Sequence, residues 1–366
     1  MNGLVNWPVN HLLCTGGGTA GHVLPTLPVI ERVLSRGGQV SFLGSRSGLE
    51  QQLLQGVDLS YYGISSGKLR RYFSWANFTD LFRIVAGVFQ ALRLLRRLKP
   101  DVVFSKGGFV SFPVVLAAWL LRIPTVAHES DISPGLANRL AMPFLHTLCL
   151  NFDATRAHRF RGRRLLTGTP LRGDLLSGDR EGGRRLLGVA AGRSVLLVTG
   201  GSLGADAINE ALRGALPQLL PRFEVVHVCG PGKAVTLQHA GYHQYEYVTE
   251  EWGDLLAAAD LIVSRAGANT LYELLALGKP SLLIPLTLRV SRGDQIENAA
   301  YAEARGFSTV LAEEHLTAES LLAAISNAWR QLPFITERLA DFRPLDATTL
   351  IVDALDAACG DARPRR

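Results

Sequence analysis

The sequence predicts an α/β protein of two domains, each a parallel sheet covered by helices, facing each other across a cleft. Three observations predict it. Short apolar runs of strand character alternate with segments of helical spacing along nearly the whole chain, which is the βαβ pattern of a parallel sheet. Glycine clusters follow strands in both halves, at Gly16, Gly17 and Gly18, at Gly107 and Gly108, at Gly200 and Gly201, and at Gly267. The 366 residues, 47% of them apolar, are enough for two separate cores.

Charge and cysteines narrow the class. Residues 1–165 carry nineteen Lys and Arg against eight Asp and Glu, and the remainder nineteen against twenty-four. A basic front half suits nucleic acid, an anionic membrane or an acidic substrate. The four cysteines, Cys14, Cys149, Cys229 and Cys359, are far apart and form no CxxC pair, so a reduced cytoplasmic protein without structural zinc is expected. The opening residues MNGLVNWPVNH lack the basic flank and long apolar core of a signal peptide, and no apolar run reaches the ~20 residues of a membrane span. Membrane contact is therefore expected to be peripheral.

Taken in order, residues 9–15 read as the first strand and run into Gly16-Gly17-Gly18-Thr19-Ala20-Gly21-His22. Helical spacing of Val29, Ile30 and Leu34 follows, and a second strand spans 39–43. Glycines between strand and helix let backbone approach a ligand with no Cβ in the way, which makes Thr19, Ala20 and Gly21 candidate contacts. GxGxxG can be laid on Gly16, Gly18 and Gly21, but no acidic residue ends the second strand. His22 stands where a GxxxxGK[ST] loop has its lysine. Both points count against hydride transfer and ATP chemistry.

Residues 67–100 interleave cations with aromatics. Phe78, Leu81, Phe82, Val85, Phe89 and Leu92 keep three- and four-residue spacing, hence one helix stripe. Val85, Phe89 and Leu92 are expected in the core, whereas Arg70, Arg71, Phe73, Trp75, Phe78 and Phe82 suit an anionic lipid surface. A strand at 101–105 then leads to Lys106-Gly107-Gly108-Phe109, a helix to Leu121, and a strand at 125–127 ending in His128-Glu129-Ser130-Asp131. Residues 133–137 read as a helix start with Pro134 in its first turn. Residues 156–164 read as a basic loop, and 173–192, rich in Gly, Asp and Arg, as a linker. Arg172, just before it, can pair with phosphate in bidentate fashion or cap an interdomain joint.

The second domain opens with a strand at 194–198 and the loop Thr199-Gly200-Gly201-Ser202, whose hydroxyl can join backbone N–H groups facing a pyrophosphate. Strands at 223–228 and 245–248 follow. Residues 260–298 form the most informative stretch: a strand at 261–263, a break at Gly267, a helix carrying Leu271, Leu274 and Leu275, and a strand at 281–284. The helix opening at Gly267, Ala268, Asn269 and Thr270 offers a diphosphate its unpaired N–H groups and partial positive charge. Glu273, one turn in, can accept from the paired hydroxyls of a ribose. A nucleotide is the expected ligand.

These segments together resemble glycosyltransferase family 28 of the GT-B superfamily, whose members include the N-acetylglucosaminyltransferase that makes lipid II. The resemblance rests on GGGTAGH followed by Pro25, on KGGFVS and HESD, on LLTGTPLR, on GGSLGA, and on SRAG through Glu273 to Asp294, Gln295 and Asn298. Ala20 and Asp131 stand where members have glycine and asparagine. What it implies is two Rossmann-like domains: 1–168 for acceptor and membrane, with a terminal helix about 345–366 packing back on it, and 169–344 for the UDP-sugar. It further implies metal-independent, inverting transfer of GlcNAc from UDP-GlcNAc to undecaprenyl-diphospho-MurNAc-pentapeptide, at the cytoplasmic face of the membrane. The family's asparagine contacts sugar at the position of Asp131, its uracil contact falls near Val248, and its glutamine at the position of Gln295 orients the sugar.

That chemistry asks for a general base near neutrality, for which His22 is the candidate and Glu129 and Asp131 its rivals. Asp294 and Gln295 are suited to the sugar hydroxyls, Arg172 and Ser202 to the leaving diphosphate, and Gly107, Gly108 and Phe109 to the acceptor side. Other readings are a UDP-sugar-dependent diacylglycerol glycosyltransferase, a UDP-GlcNAc 2-epimerase, and a basic nucleic-acid-binding protein. The last leaves the glycine loops without purpose, and no nucleic-acid partner is expected.

Overall fold

The computed structural model describes residues 8–67, 76–157 and 160–362. Its first unit runs to Leu171 and includes the residues from Leu345 onward; the second is Arg172–Pro344. In chain order the first contains β1 (His11–Gly16), α1 (Leu27–Ser35), β2 (Gln39–Ser45), α2 (Leu49–Leu53), β3 (Ser60–Ile64), α3 (Ala76–Leu98), β4 (Val102–Gly107), α4 (Ser111–Leu120), β5 (Thr125–Glu129), α5 (Leu136–Ala141), β6 (Thr147–Leu150) and β7 (Arg163–Leu166). The strands pair in parallel in the order β3-β2-β1-β4-β5-β6-β7. Helices cover both faces, so β1 and β4 read as nearly continuous apolar runs. The direction of winding reverses between β1 and β4, and in open α/β sheets ligands bind at the carboxyl ends of the strands at that switch.

The second unit contains α6 (Gly173–Leu176), α7 (Arg180–Leu186), β8 (Ser194–Thr199), α8 (Asp206–Leu219), β9 (Phe223–Val228), β10 (Tyr242–Tyr245), α9 (Trp252–Ala258), β11 (Leu261–Ser264), α10 (Ala268–Ala276), β12 (Ser281–Leu283), α11 (Asp294–Ala304), β13 (Ser308–Val310), α12 (Ala318–Arg330) and α13 (Leu332–Ala340). Its parallel sheet runs β10-β9-β8-β11-β12-β13, with the switch between β8 and β11. The last helix, α14 (Ala347–Ala362), belongs to the first unit. There it buries Ile351, Val352, Leu355 and Ala358 in one cluster with Val29, Ile30 and Val33 of α1. Asp356 ties it down further, by an ion pair with Arg36 at 3.2 Å and a bond accepted from Val9 N at 3.3 Å.

Five expectations are corrected. Residues 173–192 are no linker: α6 and α7 pack on α9, Gly183 lying so close that a Cβ would sit 2.3 Å from Asp254 O. The basic loop 156–164 ends in the edge strand β7, where Arg163 and Arg164 put charge on an edge that must not pair further. The helix expected from 133–137 starts at Leu136, after Gly135 N donates to Glu129 Oε2 at 3.0 Å. The strand expected at 245–248 lies at Tyr242–Tyr245, where Tyr242 Oη meets His227 Nδ1 at 2.8 Å. Finally, on the apolar stripe of α3 Leu81, Phe82, Val85 and Phe89 face outward, while Leu92 packs half-buried against the core as expected. Ile84, Gly87, Ala91 and Leu95 make the buried side instead, Gly87 lying where a Cβ would come within 3.4 Å of Pro113. Val85 and Phe89 are 46% and 67% exposed.

Candidate functional site

In the first unit the switch point brings two glycine loops into contact. Gly107 and Gly108 have φ of +92° and +86°, and a Cβ on Gly108 would lie 2.1 Å from Gly17 O, so only glycine permits the approach. Gly17 N donates to Gly107 O at 3.3 Å, and the Phe109 ring lies over Gly18. Thr19, Ala20, Gly21 and His22 complete the loop: His22 N donates to Thr19 O at 3.1 Å, and its Nδ1 lies 2.9 Å from Thr19 Oγ1. Thr19 thereby orients the half-buried imidazole. The loop has a partner that sequence reading missed. Fully buried Glu50, at the start of α2, accepts from Gly18 N at 3.1 Å and from Ser45 Oγ at 3.1 Å.

At the ends of β4 and β5 lies a second polar cluster. Lys106 is buried, donates to Ser130 Oγ, and has its Nζ 2.9 Å from His128 Nδ1. Burial lowers the pKa of this ammonium to about 8, with Glu129 and Asp131 pulling it back up. His128 is held well below the ordinary histidine value by burial and by Lys106, hence neutral. Its Nδ1 accepts from Lys106 and its Nε2–H donates to Gly168 O at 2.8 Å. Glu129 accepts from Asp131 N at 2.9 Å, Gly135 N at 3.0 Å and Asn138 Nδ2 at 2.9 Å, an arrangement that clamps the 129–138 loop. Asp131 is half-buried on that loop.

In the second unit α10 starts at the switch point, and among the described residues no atom lies within 4 Å of where a Cβ on Gly267 would sit. Ser202 is exposed on the loop after β8, between Gly201 and Gly204 with φ of +85° and +68°. Glu273 lies one turn into α10, where burial pushes its carboxyl up to about 7, the Arg172 charge lowering it and Asp174 raising it. Arg172 itself pairs with Asp174 at 3.0 Å. The loop after β12 is held from several directions: Gln295 Oε1 accepts from Leu286 N at 3.1 Å, leaving its amide NH₂ as a donor. Buried Asn298 donates to Ala266 O at 3.1 Å, and Arg265 bonds both Glu313 and Ile284 O. The structure thus gathers Gly267, Ala268, Asn269, Thr270, Gln295 and Asn298 round the start of α10. Asp294 is paired with Arg292 at 3.3 Å, and Val248 is half-buried on the loop after β10.

Arg70, Arg71, Phe73 and Trp75 lie outside the described residues, as does the side chain of Phe78. Phe82 is described and is 73% exposed on α3, in line with Val85 and Phe89. Trp119 and Leu120, on the helix α4 that packs against α3, are about half exposed. Trp119 packs on Phe144, with ring centroids 5.2 Å apart.

Residues 12–149 match the glycosyltransferase family 28 N-terminal domain, and residues 195–339 its C-terminal domain. The chain belongs to glycosyltransferase family 28. Among family 28 relatives, the UDP-N-acetylglucosamine--N-acetylmuramyl-(pentapeptide) pyrophosphoryl-undecaprenol N-acetylglucosamine transferase of Legionella pneumophila (strain Paris) is 48% identical over 357 residues, 97% of this chain and 98% of the relative. The enzyme of the same name from Geobacillus thermodenitrificans (strain NG80-2) is 50% identical over 317 residues, 86% of this chain and 89% of its own length. The crystal structure of Acinetobacter baumannii MurG superposes with a TM-score of 0.77 at 29% identity, over 95% of this chain and 99% of that one. A UDP-GlcNAc 2-epimerase from Neisseria meningitidis shares the fold, with a TM-score of 0.67 at 15% identity over 94% of this chain and 99% of its own. The two units of this family 28 chain are Rossmann-like domains of the GT-B fold.

Proposed function

We propose that this family 28 protein transfers GlcNAc from UDP-GlcNAc to the muramoyl 4-hydroxyl of undecaprenyl-diphospho-MurNAc-pentapeptide (lipid I), giving lipid II and UDP. The observation that carries the reading is the second unit's α10: an open helix start at Gly267, with a carboxylate one turn in and Gln295 beside it, on a chain 48% identical over 357 residues to a transferase of that name. Diphosphate on the helix start meets N–H groups and the positive end of the dipole. Glu273 is placed to accept from the ribose hydroxyls and Gln295 to donate to the sugar. Arg172 and Ser202 would take part of the charge that grows on the leaving UDP, a task that positioned donors perform without a metal ion.

The acceptor falls to the first unit. As the sugar–phosphate bond lengthens, the attacking hydroxyl must lose its proton, and His22, held by Thr19, is the group we assign to receive it. Glu129 is the weaker rival, since three donors already occupy its oxygens. The touching loops at Gly17 and Gly108 leave backbone open to the acceptor head. Among the described residues no helix is long and apolar enough to cross a membrane. Phe82, Val85 and Phe89, with the neighbouring cations, are therefore proposed to rest on an anionic bilayer at its cytoplasmic face.

Two measurements test this. Incubation with labelled UDP-GlcNAc and a short-chain lipid I analogue should yield the disaccharide product, with turnover unchanged by chelator; no product with this acceptor would end the reading. Replacing Phe82 and Phe89 by serine should weaken binding to anionic phospholipid vesicles about tenfold or more, each ring contributing roughly 1.5–3 kcal/mol when buried. Turnover of a soluble acceptor should be spared, and unchanged vesicle binding would detach this face from the membrane.

A further inference from the structure

A cavity of about 440 Å³ opens in the first unit beside the glycine loops and is used by no step above. Its lining runs from Gly18 and Phe109, by Ser45 and Ser66, to Asp80 and Arg83 on α3. The volume is that of a small-ligand pocket. Asp80 is unusual within it: the residue is 3% exposed, its Oδ1 accepts from Arg83 Nη1 at 3.3 Å, and its buried Oδ2 has no hydrogen-bond partner among the described residues. A buried carboxylate oxygen in that state calls for an incoming N–H or O–H. The Arg83 side chain, 63% exposed, keeps donors for a carbonyl or carboxylate; the Ser66 hydroxyl can donate or accept, and Ser45 Oγ, which donates to Glu50, can accept. Alternating donors and acceptors along a short pocket match a peptide, whose amides and acidic side chain present the complement.

We propose that this pocket receives the peptide stem of the acceptor, an inference that rests on the transfer reading and deepens it. Substrate chemistry supplies the register. The stem hangs from the lactoyl ether on the sugar carbon next to the one whose hydroxyl attacks, so it must leave the ring close to the group that takes the proton. The turn holding His22 packs on α2, whose first residues, Leu49 and Glu50, line the pocket. A ring with its 4-hydroxyl at His22 therefore sends its stem past Gly18.

The test compares two short-chain acceptors, one with the full peptide and one cut back to the lactoyl group, in the wild type, Arg83→Ala and Asp80→Asn. Expected is a roughly tenfold rise in KM for the peptide-bearing acceptor in each variant. KM for the shortened acceptor and for UDP-GlcNAc should stay within about twofold. Equal losses with both acceptors, or none with either, overturn the proposal. Calorimetry with the free stem peptide reads the pocket without turnover: wild-type binding that Arg83→Ala weakens supports it, and no wild-type heat overturns it. A wild type that binds the peptide yet transfers to neither acceptor would sink the transfer reading while leaving a peptide site standing.

Discussion

His22→Ala lowers kcat by about 10²- to 10⁴-fold and leaves the affinity for UDP-GlcNAc within about twofold, the signature of a lost general base. Histidine is the side chain whose ordinary titration lies closest to neutrality, as a base working at physiological pH requires. Here its Nδ1 is engaged by Thr19 Oγ1 at 2.9 Å, which fixes the ring plane. A hydroxyl from Thr19 donating to Nδ1 would leave Nε2 carrying the proton. The opposite bond puts the proton on Nδ1 and makes Nε2 the accepting nitrogen, and that is the catalytic tautomer. Equilibrium binding of UDP-GlcNAc beside single-turnover kinetics separates the two effects. Unchanged turnover would move the proton to Asp131, because Glu129 is occupied as the clamp of its own loop.

The second large effect is pH-dependent. Burial pushes the Glu273 carboxyl up to about 7, so below that value the residue is protonated and has lost the charge that makes it a strong acceptor for ribose hydroxyls. Donor affinity should accordingly rise with pH through about 7 and then level. Glu273→Gln should flatten this dependence and lower affinity at pH 8 by roughly ten- to a hundredfold, as for a hydrogen bond to a charged group. The sign for stability is opposite. A carboxyl whose folded pKa lies above its unfolded one binds extra protons in the folded state, so its contribution declines as pH rises from the ordinary carboxylate range toward 7. The ligand-free glutamine variant should therefore melt above the wild type at pH 8. A donor titration that ignores both pH and the substitution would remove Glu273 from the ribose.

How much of this was readable in the chain follows physical lines. The glycine loops were legible because a strand running into several glycines leaves little choice but a tight turn, and Gly107 and Gly108 do adopt left-handed backbone. Glu273 was placed by local helix geometry, whereas Gln295 was read from its residue type and the family resemblance, the start of α11 at Asp294 going unread. Glu50 and Lys106 were not: their partners, Gly18 and His128, come from other segments, and burial of a charge shows only when the fold supplies the walls. A lysine closing a buried strand was the sole hint for the second. On α3 periodicity defined a stripe but not its direction. The buried side is made of smaller residues, Gly87 and Ala91 among them, because close approach to α4 rewards small size over hydrophobicity. The short strands β3, β6 and β7 were missed because so few residues carry little period of their own.

The return of α14 makes the first unit discontinuous along the chain. During synthesis on the ribosome every residue of the second unit emerges before the helix that covers Val29, Ile30 and Val33. The second unit can close as soon as it is made, whereas the first must wait with a strip of bare hydrocarbon on α1. A chain stopped before Ile351 would leave that strip open for good, so the helix made after the second unit acts as the completion mark of the first.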